Sequence, residues 1–406
     1  MKLREYQNNI AIQAAHKLVT FGCCYLSMEC RTGKTITSLS AADNFEAGNV
    51  LFITKLKAIP SVKADYESLK PSFKLDVVNY ESCHKAKGKY DLVIIDEAHS
   101  LGAYPKPSKR TQEIKSICEG LPVLYLSGTP SPESYSQLYH QFWVCSSSPW
   151  KEYKTFYKWA KAYVTVRQKK VNGYFINDYS NANKAKIDQD TKDLFISYSQ
   201  EQAGFDVNIN EHILSVPMND RTGRYISSMR DNLMVEINGS TILGDSPAKM
   251  LTKLHQLSSG TVIAENGLHL TFDSSKAEFV KKMFSGQKIA LFYVYQSEAE
   301  LLQSVFPNWT DNPEEFQAST SKVFISQVRR AREGVRLDTA NALIFFNMEF
   351  SYLSYEQGRN RLVSKERTAP AEVYFLCSDC GIESKILDAV HGKQDFTLSW
   401  FNKKAR

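Results

Sequence analysis

Long apolar runs are missing from this chain of 406 residues. No stretch approaches the roughly 18 consecutive apolar residues that a membrane-spanning helix needs. The first residues, Met1 to Gln7, also lack the apolar segment of a secretion signal. We therefore expect a soluble, cytoplasmic protein that does not enter a membrane.

A regular cysteine framework is also missing. The eight cysteines show no repeated spacing, which fits a reducing compartment. Only Cys377 and Cys380 are spaced like metal ligands, and a structural zinc would need two further ligands that no nearby pair supplies. The chain also lacks a strong net charge, since its formal net charge is only +6. A charge of this size permits a polyanionic partner without demonstrating one.

The composition that remains is that of an ordinary globular protein. Hydrophobic residues make up 43% of the chain and charged residues 23%. At about 150 residues per domain, the length predicts two to three domains.

A phosphate-binding loop is indicated by Gly33-Lys34-Thr35, which lies between an apolar run at 23–27 and a predicted helix at 36–45. Backbone N–H groups at a helix N-terminus bind anions, a lysine bridges phosphates, and a threonine hydroxyl holds Mg²⁺. The full phosphate-loop pattern has a further glycine where Met28 stands here.

Two adjacent carboxylates support the same interpretation. The apolar run Leu92 to Ile95 predicts a buried parallel strand, and it ends in Asp96-Glu97-Ala98-His99. A phosphate-bound Mg²⁺ would need Asp96, and a hydrolytic water would need Glu97 as its base. The alternative is an ordinary solvated turn.

Apolar runs alternate with helical or loop segments along both halves of the chain. The predicted strands of the first half are 23–27, 50–54, 75–79, 92–95 and 123–127, and those of the second are 289–293, 323–326, 342–346 and 373–376. This alternation predicts parallel α/β sheets with ligands at the carboxyl ends of the strands. The turn Ser127-Gly128-Thr129-Pro130 falls at such an end.

The composition changes after about Pro149. Between Lys151 and Lys170 there are seven basic residues against one acid, with five aromatic residues among them. Such a segment suits a nucleic-acid backbone, through counterion release and base stacking. It equally suits an amphipathic helix whose aromatic side chains lie in the core.

Arginine is dense in two segments of the second half, 329–337 and 357–361. One interpretation is a salt-bridged surface. The other is that these guanidinium groups face phosphates across a cleft.

In this order, the segments resemble the motifs of superfamily 2 helicases and translocases, and most of all the Swi/Snf-like branch with its compact helicases encoded by bacteriophages. The matching segments, which span nearly the whole chain, are Leu3 to Gln7 (Q motif), Cys30 to Thr35 (I), Thr54-Lys55 (Ia), Asn79 to Ser82 (Ib), Asp96 to His99 (II, a DEAH box), Ser127 to Thr129 (III), Arg332 to Leu337 (V) and Gln357 to Arg361 (VI).

The resemblance implies two RecA-like lobes with parallel sheets, ATP bound between them, and an inserted, mainly helical segment. Lobe 1 would span 1–148, the basic and aromatic accessory segment 149–248, and lobe 2, with motifs IV, V and VI, 249–406. The implied function is an ATP-dependent DNA helicase or translocase that unwinds or remodels branched duplexes in replication, recombination or repair. It would act as a monomer in the cytoplasm, including that of an infected bacterial host, with other replication or recombination proteins as candidate partners.

The resemblance also implies roles for single residues. Gln7 would read the adenine edge with Tyr6 near the base, Thr35 and Asp96 would hold Mg²⁺, and Glu97 would polarise the attacking water. Further nucleotide contacts are implied for Arg31, Thr32, Gly33, Lys34 and Gly334. Catalytic contacts to the γ-phosphate are implied for Gln357, Arg359 and Arg361, with Arg361 as the arginine finger. Sequence-independent contacts to the DNA backbone are implied for Lys55, Ser82, Thr129, Arg332 and Arg336.

Two positions depart from the family pattern. Ser364 stands where motif VI has a second arginine, which Arg359 or Arg367 would have to replace, and Arg336 stands where motif V often has asparagine. Three alternatives therefore stay open: an RNA helicase, an ATP-switched DNA clamp with little turnover, and a small-molecule kinase with a phosphate-binding loop. The last needs a lid and an acceptor pocket, and the second lobe argues against it.

Overall fold

A computed structural model describes the chain over residues 3–171, 174–205, 208–331, 335–364, 367 and 369–392. These residues form two compact units, which we call unit 1 (Met1–Phe205) and unit 2 (Asp206–Arg406). Each unit contains one six-stranded sheet and is described separately.

Unit 1 has an α/β fold. Its strands are β1 (Cys23–Met28), β2 (Asn49–Thr54), β3 (Lys74–Asn79), β4 (Leu92–Asp96), β5 (Val123–Leu126), β6 (Arg167–Val171), β7 (Tyr174–Asp178) and β8 (Phe195–Tyr198). Its helices are α1 (Glu5–Phe21), α2 (Lys34–Asn44), α3 (Ile59–Leu69), α4 (Lys109–Ile117), α5 (Gln137–Trp143), α6 (Phe156–Tyr163) and α7 (Lys184–Thr191), and 3₁₀ turns occupy 56–58, 80–85 and 98–101.

The sheet of unit 1 is entirely parallel, with the strand order β3-β2-β4-β5-β1-β8. Successive residues of each central strand pack into separate apolar clusters; in β4, Val93 and Ile95 join one and Leu92 and Ile94 the other. Because both faces are buried, the strands read as continuous apolar runs. The same order places β1 and β4 on either side of β5, so their carboxyl ends share one edge of the sheet.

Unit 2 has the same architecture. Its strands are β9 (Ile209–Val216), β10 (Met234–Ile237), β11 (Ser240–Leu243), β12 (Thr261–Ile263), β13 (His269–Thr271), β14 (Ile289–Tyr293), β15 (Trp309–Thr310), β16 (Val323–Gln327), β17 (Ala342–Phe345) and β18 (Ala371–Ser378). Its helices are α8 (Asp220–Asn232), α9 (Pro247–Leu257), α10 (Ser275–Met283), α11 (Gln296–Val305), α12 (Pro313–Ala318), α13 (Val328–Ala331), α14 (Tyr352–Arg359) and α15 (Glu383–His391). The parallel order is β15-β16-β14-β17-β18-β9.

All nine strands predicted from apolar runs are present, so the α/β class and the two parallel sheets are confirmed. The division of the chain differs from the predicted boundaries at 148 and 248, because it falls between Phe205 and Asp206. The segment 149–248 is shared by the two units, since β8 pairs with β1 and β9 pairs with β18. It is also not mainly helical, because six strands, β6 to β11, lie within it.

Helix α6 carries four of the five aromatic residues of the basic segment, and three of these four lie in the core. Phe156, Trp159 and Tyr163 are buried, whereas Lys158 and Lys161 are exposed on the other face. For this helix the structure agrees with the amphipathic interpretation. None of the helices in the described ranges has the length and apolar character needed to span a bilayer.

Candidate active site

The loop between β1 and α2 curls around a lysine amine. Lys34 Nζ donates hydrogen bonds to the carbonyl oxygens of Met28 (2.9 Å) and Glu29 (3.2 Å). Arg31 and Gly33 both have positive φ, at 63° and 85°, and this backbone closes the loop just before α2 begins. An ammonium group prefers anionic acceptors to carbonyl oxygens, so a phosphate entering this loop would compete for Lys34.

Tyr6 and Gln7, the residues predicted to recognise adenine, donate hydrogen bonds to this loop. Tyr6 Oη donates to the Thr32 carbonyl oxygen (2.9 Å), and Gln7 Nε2 donates to the same oxygen (3.4 Å). Gln7 Oε1 accepts from the Arg4 backbone N–H (3.0 Å) and so caps α1. Tyr6 and Gln7 therefore lie against the loop, and in this structure their polar groups bind protein backbone.

Gly33 is needed for two separable reasons. Its φ of 85° is costly for any residue with a side chain, and a Cβ there would lie only 2.2 Å from Gln7 Nε2. Gly120, with φ of 75° and nothing within 4 Å of its would-be Cβ, has only the first reason.

We therefore expect Gly33→Ala to lower the free energy of unfolding by more than Gly120→Ala, which should cost about 1 kcal/mol. Urea unfolding of the two variants measures the difference. Adding Gln7→Ala to Gly33→Ala should recover part of the excess, because it removes the clash and leaves φ unchanged. Equal costs for the two glycine variants would contradict the close packing of Gln7 against the loop.

The carboxylate at the end of β4 is held on both oxygens. Thr54 Oγ1 donates to Asp96 Oδ2 (2.7 Å), and the Glu97 backbone N–H donates to Asp96 Oδ1 (3.0 Å). Burial and then the charge of Glu97 raise the pKa of Asp96 to about 6, while the Thr54 hydrogen bond and the charge of Lys34 act in the opposite direction. The Lys34 amine of the loop is therefore close enough to Asp96 for its charge to favour the ionised carboxylate.

This shift predicts a pH-dependent stability. Because the pKa is raised in the folded state, the Asp96 carboxyl favours folding below its ordinary value of 3.8, and that contribution is lost as the pH rises through about 6. Between pH 7 and pH 4, the stability of the wild type should therefore rise by about 1–2 kcal/mol relative to Asp96→Asn, after discounting for partial exposure. Urea unfolding of both proteins across this range measures it. A difference in stability that does not change with pH would contradict the raised pKa of Asp96.

A histidine connects the acidic turn to the end of β5. His99 Nδ1 lies 2.9 Å from Ser127 Oγ and 3.3 Å from Glu97 Oε2. Ser127 Oγ also accepts from the Thr129 backbone N–H (3.1 Å). Glu97 itself has a φ of 52°, which is uncommon for a residue with a side chain. The predicted acidic turn and the Ser127-Gly128-Thr129 turn are thus brought into one hydrogen-bonded group.

Gly128 allows the same turn to approach the loop between β1 and α2. A Cβ at Gly128 would lie 3.3 Å from the Met28 carbonyl oxygen and 3.7 Å from Lys34 Nζ. The ends of β1, β4 and β5 therefore converge on Lys34. This is the arrangement that the parallel-sheet prediction required.

The predicted nucleic-acid contacts of unit 1 all follow strand ends at this edge. Lys55 follows β2, Ser82 follows β3 and Thr129 follows β5. Ser82 is already engaged, because its backbone N–H donates to Asn79 Oδ1 (2.7 Å). Thr129 Oγ1 is buried and has no hydrogen-bond partner within the described ranges.

Two of the predicted catalytic residues in unit 2 are buried, Gln357 within α14 and Arg361 shortly after its end. Gln357 is 4% exposed, and its Oε1 atom has no hydrogen-bond partner in the described part of the chain. Arg361 is 7% exposed and donates to the carbonyl oxygens of Gln357 (2.8 Å) and Val335 (3.4 Å). Gly358 follows Gln357 in the sequence. A side chain is disfavoured at this position, because a Cβ there would come within 2.8 Å of the Phe345 ring.

The other arginines of unit 2 have protein partners. Arg359 forms ion pairs with Glu211 (3.0 Å) and Glu356 (2.9 Å), and these charges raise its pKa despite its burial. Arg336 pairs with Asp338 (2.7 Å). Arg367 donates to four carbonyl oxygens, those of Asp338, Ala340, Ala369 and Pro370. The predicted contacts Arg332 and Gly334 lie outside the described residues.

Arg367 therefore has a structural role in this fold, since its hydrogen bonds hold the loops on both sides of it. Arg359 is similarly held by two carboxylates. Each would have to give up these partners before it could replace the arginine that Ser364 lacks.

No protein-family model matches this chain, and no curated protein matches it.

The donor set of unit 1 fits a magnesium-bound triphosphate. Within the described residues no group of three or more histidine, cysteine, aspartate or glutamate side chains is arranged as a metal site. Mg²⁺ on a triphosphate does not need such a group, because phosphates and waters supply most of its ligands. One carboxylate from Asp96 and one hydroxyl from Thr35 would complete them.

The contacts of three residues of this site were not predicted from the sequence. Thr54 was assigned to the strand end and to motif Ia, although its position beside β4 at the carboxyl end signals a contact with Asp96. Tyr198 stacks on Tyr6, with ring centroids 4.6 Å apart and planes 13° apart. Gln200 clamps the loop, because its backbone N–H donates to Glu29 Oε2 (2.7 Å) and its Nε2 to the Cys30 carbonyl oxygen (2.9 Å).

Proposed function

We propose that this chain is a DNA-dependent ATPase, a helicase or translocase of superfamily 2 similar to the Swi/Snf-like branch. One observation carries the proposal: Lys34, Asp96 and the Ser127-Gly128-Thr129 turn meet at one edge of a parallel sheet, on the ends of three adjacent strands. A cationic loop at a helix start, beside a paired-carboxylate turn, suits ATP hydrolysis.

Each side chain has a task in this proposal. Lys34 leaves its loop carbonyls to bind phosphate oxygens, with Arg31, Thr32 and Gly33 shaping the loop around them. Thr35 and Asp96 hold Mg²⁺, which neutralises charge on the β- and γ-phosphates when bound. Glu97 accepts a proton from the attacking water, and His99 keeps its carboxylate oriented through the contact at 3.3 Å.

We assign the remaining γ-phosphate contacts to unit 2. The Gln357 Oε1 atom, which has no hydrogen-bond partner among the described residues, supports this assignment, because a buried polar atom without a hydrogen bond is costly unless a ligand or water supplies one. Arg361 would act as the arginine finger, exchanging backbone carbonyl acceptors for phosphate oxygens. Repeated cycles of ATP binding and hydrolysis would then move the protein along DNA.

The partner in this proposal is the DNA backbone, held by Lys55, Thr129 and Arg336 without reading sequence. ATPase rates with forked DNA, duplex DNA, single-stranded DNA and RNA, together with strand displacement on the same forks, test it. We expect DNA to stimulate hydrolysis more than RNA does. Equal or greater stimulation by RNA would favour an RNA helicase, and no stimulation by either would contradict the proposal.

A further inference from the structure

The hairpin formed by β6 and β7 exposes apolar side chains. Phe175 is 68% exposed and Ile176 is 52% exposed, and Val166 just before the hairpin is 43% exposed. The two strands pair with each other, with Arg167 opposite Asp178 and Lys170 opposite Phe175, and within the described ranges they pair with no other strand. Because neighbouring residues of a strand point to opposite faces, the ribbon exposes one large apolar side chain on each face, and the Phe175 face also carries Lys170.

Cations accompany these apolar side chains. Arg167 and Lys170 are exposed, and Lys170 Nζ lies 6.0 Å from the centroid of the Phe175 ring. The surrounding segment 151–193 contains ten lysines and arginines against five acids, which is nearly all of the net charge of +6. The hairpin therefore combines a ring that can stack with a local excess of positive charge, and this combination fits nucleic acid better than an acidic or a purely apolar partner.

The base of the hairpin is tied to the turn at the candidate active site. Ser134 Oγ donates to the Ser180 carbonyl oxygen (2.7 Å), and Ser136 Oγ donates to the Tyr179 carbonyl oxygen (2.6 Å). Gln141 Nε2 donates to the Pro130 carbonyl oxygen (2.8 Å), which holds helix α5 to the same turn. The hydrogen bond between His99 and Ser127 and the chain segment 127–136 thus connect the acidic turn with the loop that supports the hairpin.

We propose that the β6–β7 hairpin is a second nucleic-acid contact on unit 1, in which Phe175 and Ile176 pack against exposed bases while Arg167 and Lys170 neutralise phosphates. The inference rests on the proposed function, because it takes single-stranded or forked DNA as the ligand. Bases become available for such packing only where strands are separated, so the hairpin would act at the junction of a fork. Its connection to the Ser127 turn would couple its position to the state of the acidic turn.

The test compares two double variants that each remove two exposed apolar side chains. Phe175→Ala/Ile176→Ala changes the hairpin, and Ile12→Ala/Val19→Ala is the matched control on α1, where the side chains are 53% and 73% exposed. We expect the hairpin variant to bind forked DNA about 10-fold more weakly by fluorescence anisotropy, since stacking contributes strongly to single-strand binding. Strand displacement should fall at least as much, and the control should match the wild type in both.

A charge variant tests the phosphate contacts separately. Arg167→Glu/Lys170→Glu should lower the slope of log Kd against log salt concentration by about 1–2, as expected for two lost phosphate contacts. Thermal unfolding of each variant, followed by circular dichroism, should match the wild type because all four side chains are exposed.

The outcomes separate the hairpin from the ATPase. Wild-type DNA binding by both hairpin variants overturns the inference, whether or not ATP is hydrolysed. A change confined to oligomeric state in sedimentation, or to binding of vesicles containing anionic lipid, also overturns it. If the wild type binds DNA without any stimulated ATP hydrolysis, the proposed function fails, and weaker binding by the hairpin variants would still support the hairpin contact.

Discussion

Lys34→Ala is expected to abolish DNA-stimulated ATP hydrolysis, with a loss of about 10³-fold or more. The Lys34 amine lies where the ends of β1, β4 and β5 meet. Its charge also opposes the rise in the pKa of Asp96 that burial and Glu97 cause. Alanine would leave the loop without the Lys34 charge for the phosphates and would remove a cation that favours the ionised form of Asp96. Steady-state phosphate release at saturating DNA measures the effect.

Lys63→Ala is the matched control, because Lys63 is exposed on α3 and takes no part in the site. It should retain wild-type turnover. Thermal unfolding of Lys34→Ala distinguishes lost chemistry from a lost fold, since the variant also removes two hydrogen bonds to the loop. A folded Lys34→Ala protein with normal turnover would remove the phosphate-loop assignment.

Arg361→Ala is expected to lower turnover by about 10³–10⁵-fold while changing ATP affinity far less. An arginine finger stabilises charge that develops in the transition state, so its removal affects the rate constant more than the binding of ATP. Turnover comes from phosphate release, and affinity from titration with a fluorescent ATP analogue.

Two variants make this prediction specific. Arg361→Lys keeps the charge without the planar guanidinium, and we expect it to remain strongly impaired. Arg359→Ala should lose much less turnover, because Arg359 is committed to Glu211 and Glu356. Equal losses at Arg359 and Arg361, or near-normal turnover in a folded Arg361→Ala protein, would contradict the assignment of the finger.

The central strands of both sheets were predictable because each is buried on both faces. Runs such as Leu92 to Ile95 and Ala342 to Phe346 contain little except apolar residues, and neighbouring elements do not alter that pattern. No bounds were predicted for the edge strands β8, β9 and β15. They are short or mixed in polarity, and they become strands through pairing with β1, β18 and β16.

Those edge strands also explain why the predicted boundaries at 148 and 248 differ from the observed division. A change in composition after Pro149 signals a different surface, and here it does not signal a separate unit. Pairing of β8 with β1 adds 149–205 to the first unit, and pairing of β9 with β18 adds the following segment to the second.

The positions of Lys34, Asp96 and Thr129 followed from the sequence because the carboxyl ends of parallel strands meet at one edge. Contacts between distant segments did not follow. The stacking of Tyr198 on Tyr6 and the clamp from Gln200 to Glu29 join residues more than 170 positions apart, and no local pattern reports them.

The arginines of unit 2 show a similar limit. Their density was evident, but the partners that hold each one were not. Arg336 is held by Asp338, Arg359 by two glutamates and Arg367 by carbonyl oxygens, so the salt-bridged interpretation describes much of this cluster. Arg361 is buried beside Gln357 and donates to backbone carbonyl oxygens, and it is the arginine that we assign to the γ-phosphate.

Phosphate release by the wild type and by Glu97→Gln, both at saturating forked DNA and ATP, shows whether this protein is an ATP-driven motor. We expect multiple turnovers in the wild type that depend on DNA. We expect Glu97→Gln to bind ATP normally but to turn over at least about 10²-fold more slowly, because the general base is lost. Equal turnover in the two proteins, or DNA binding that responds to ATP without hydrolysis in either, would contradict a motor and indicate an ATP-switched clamp.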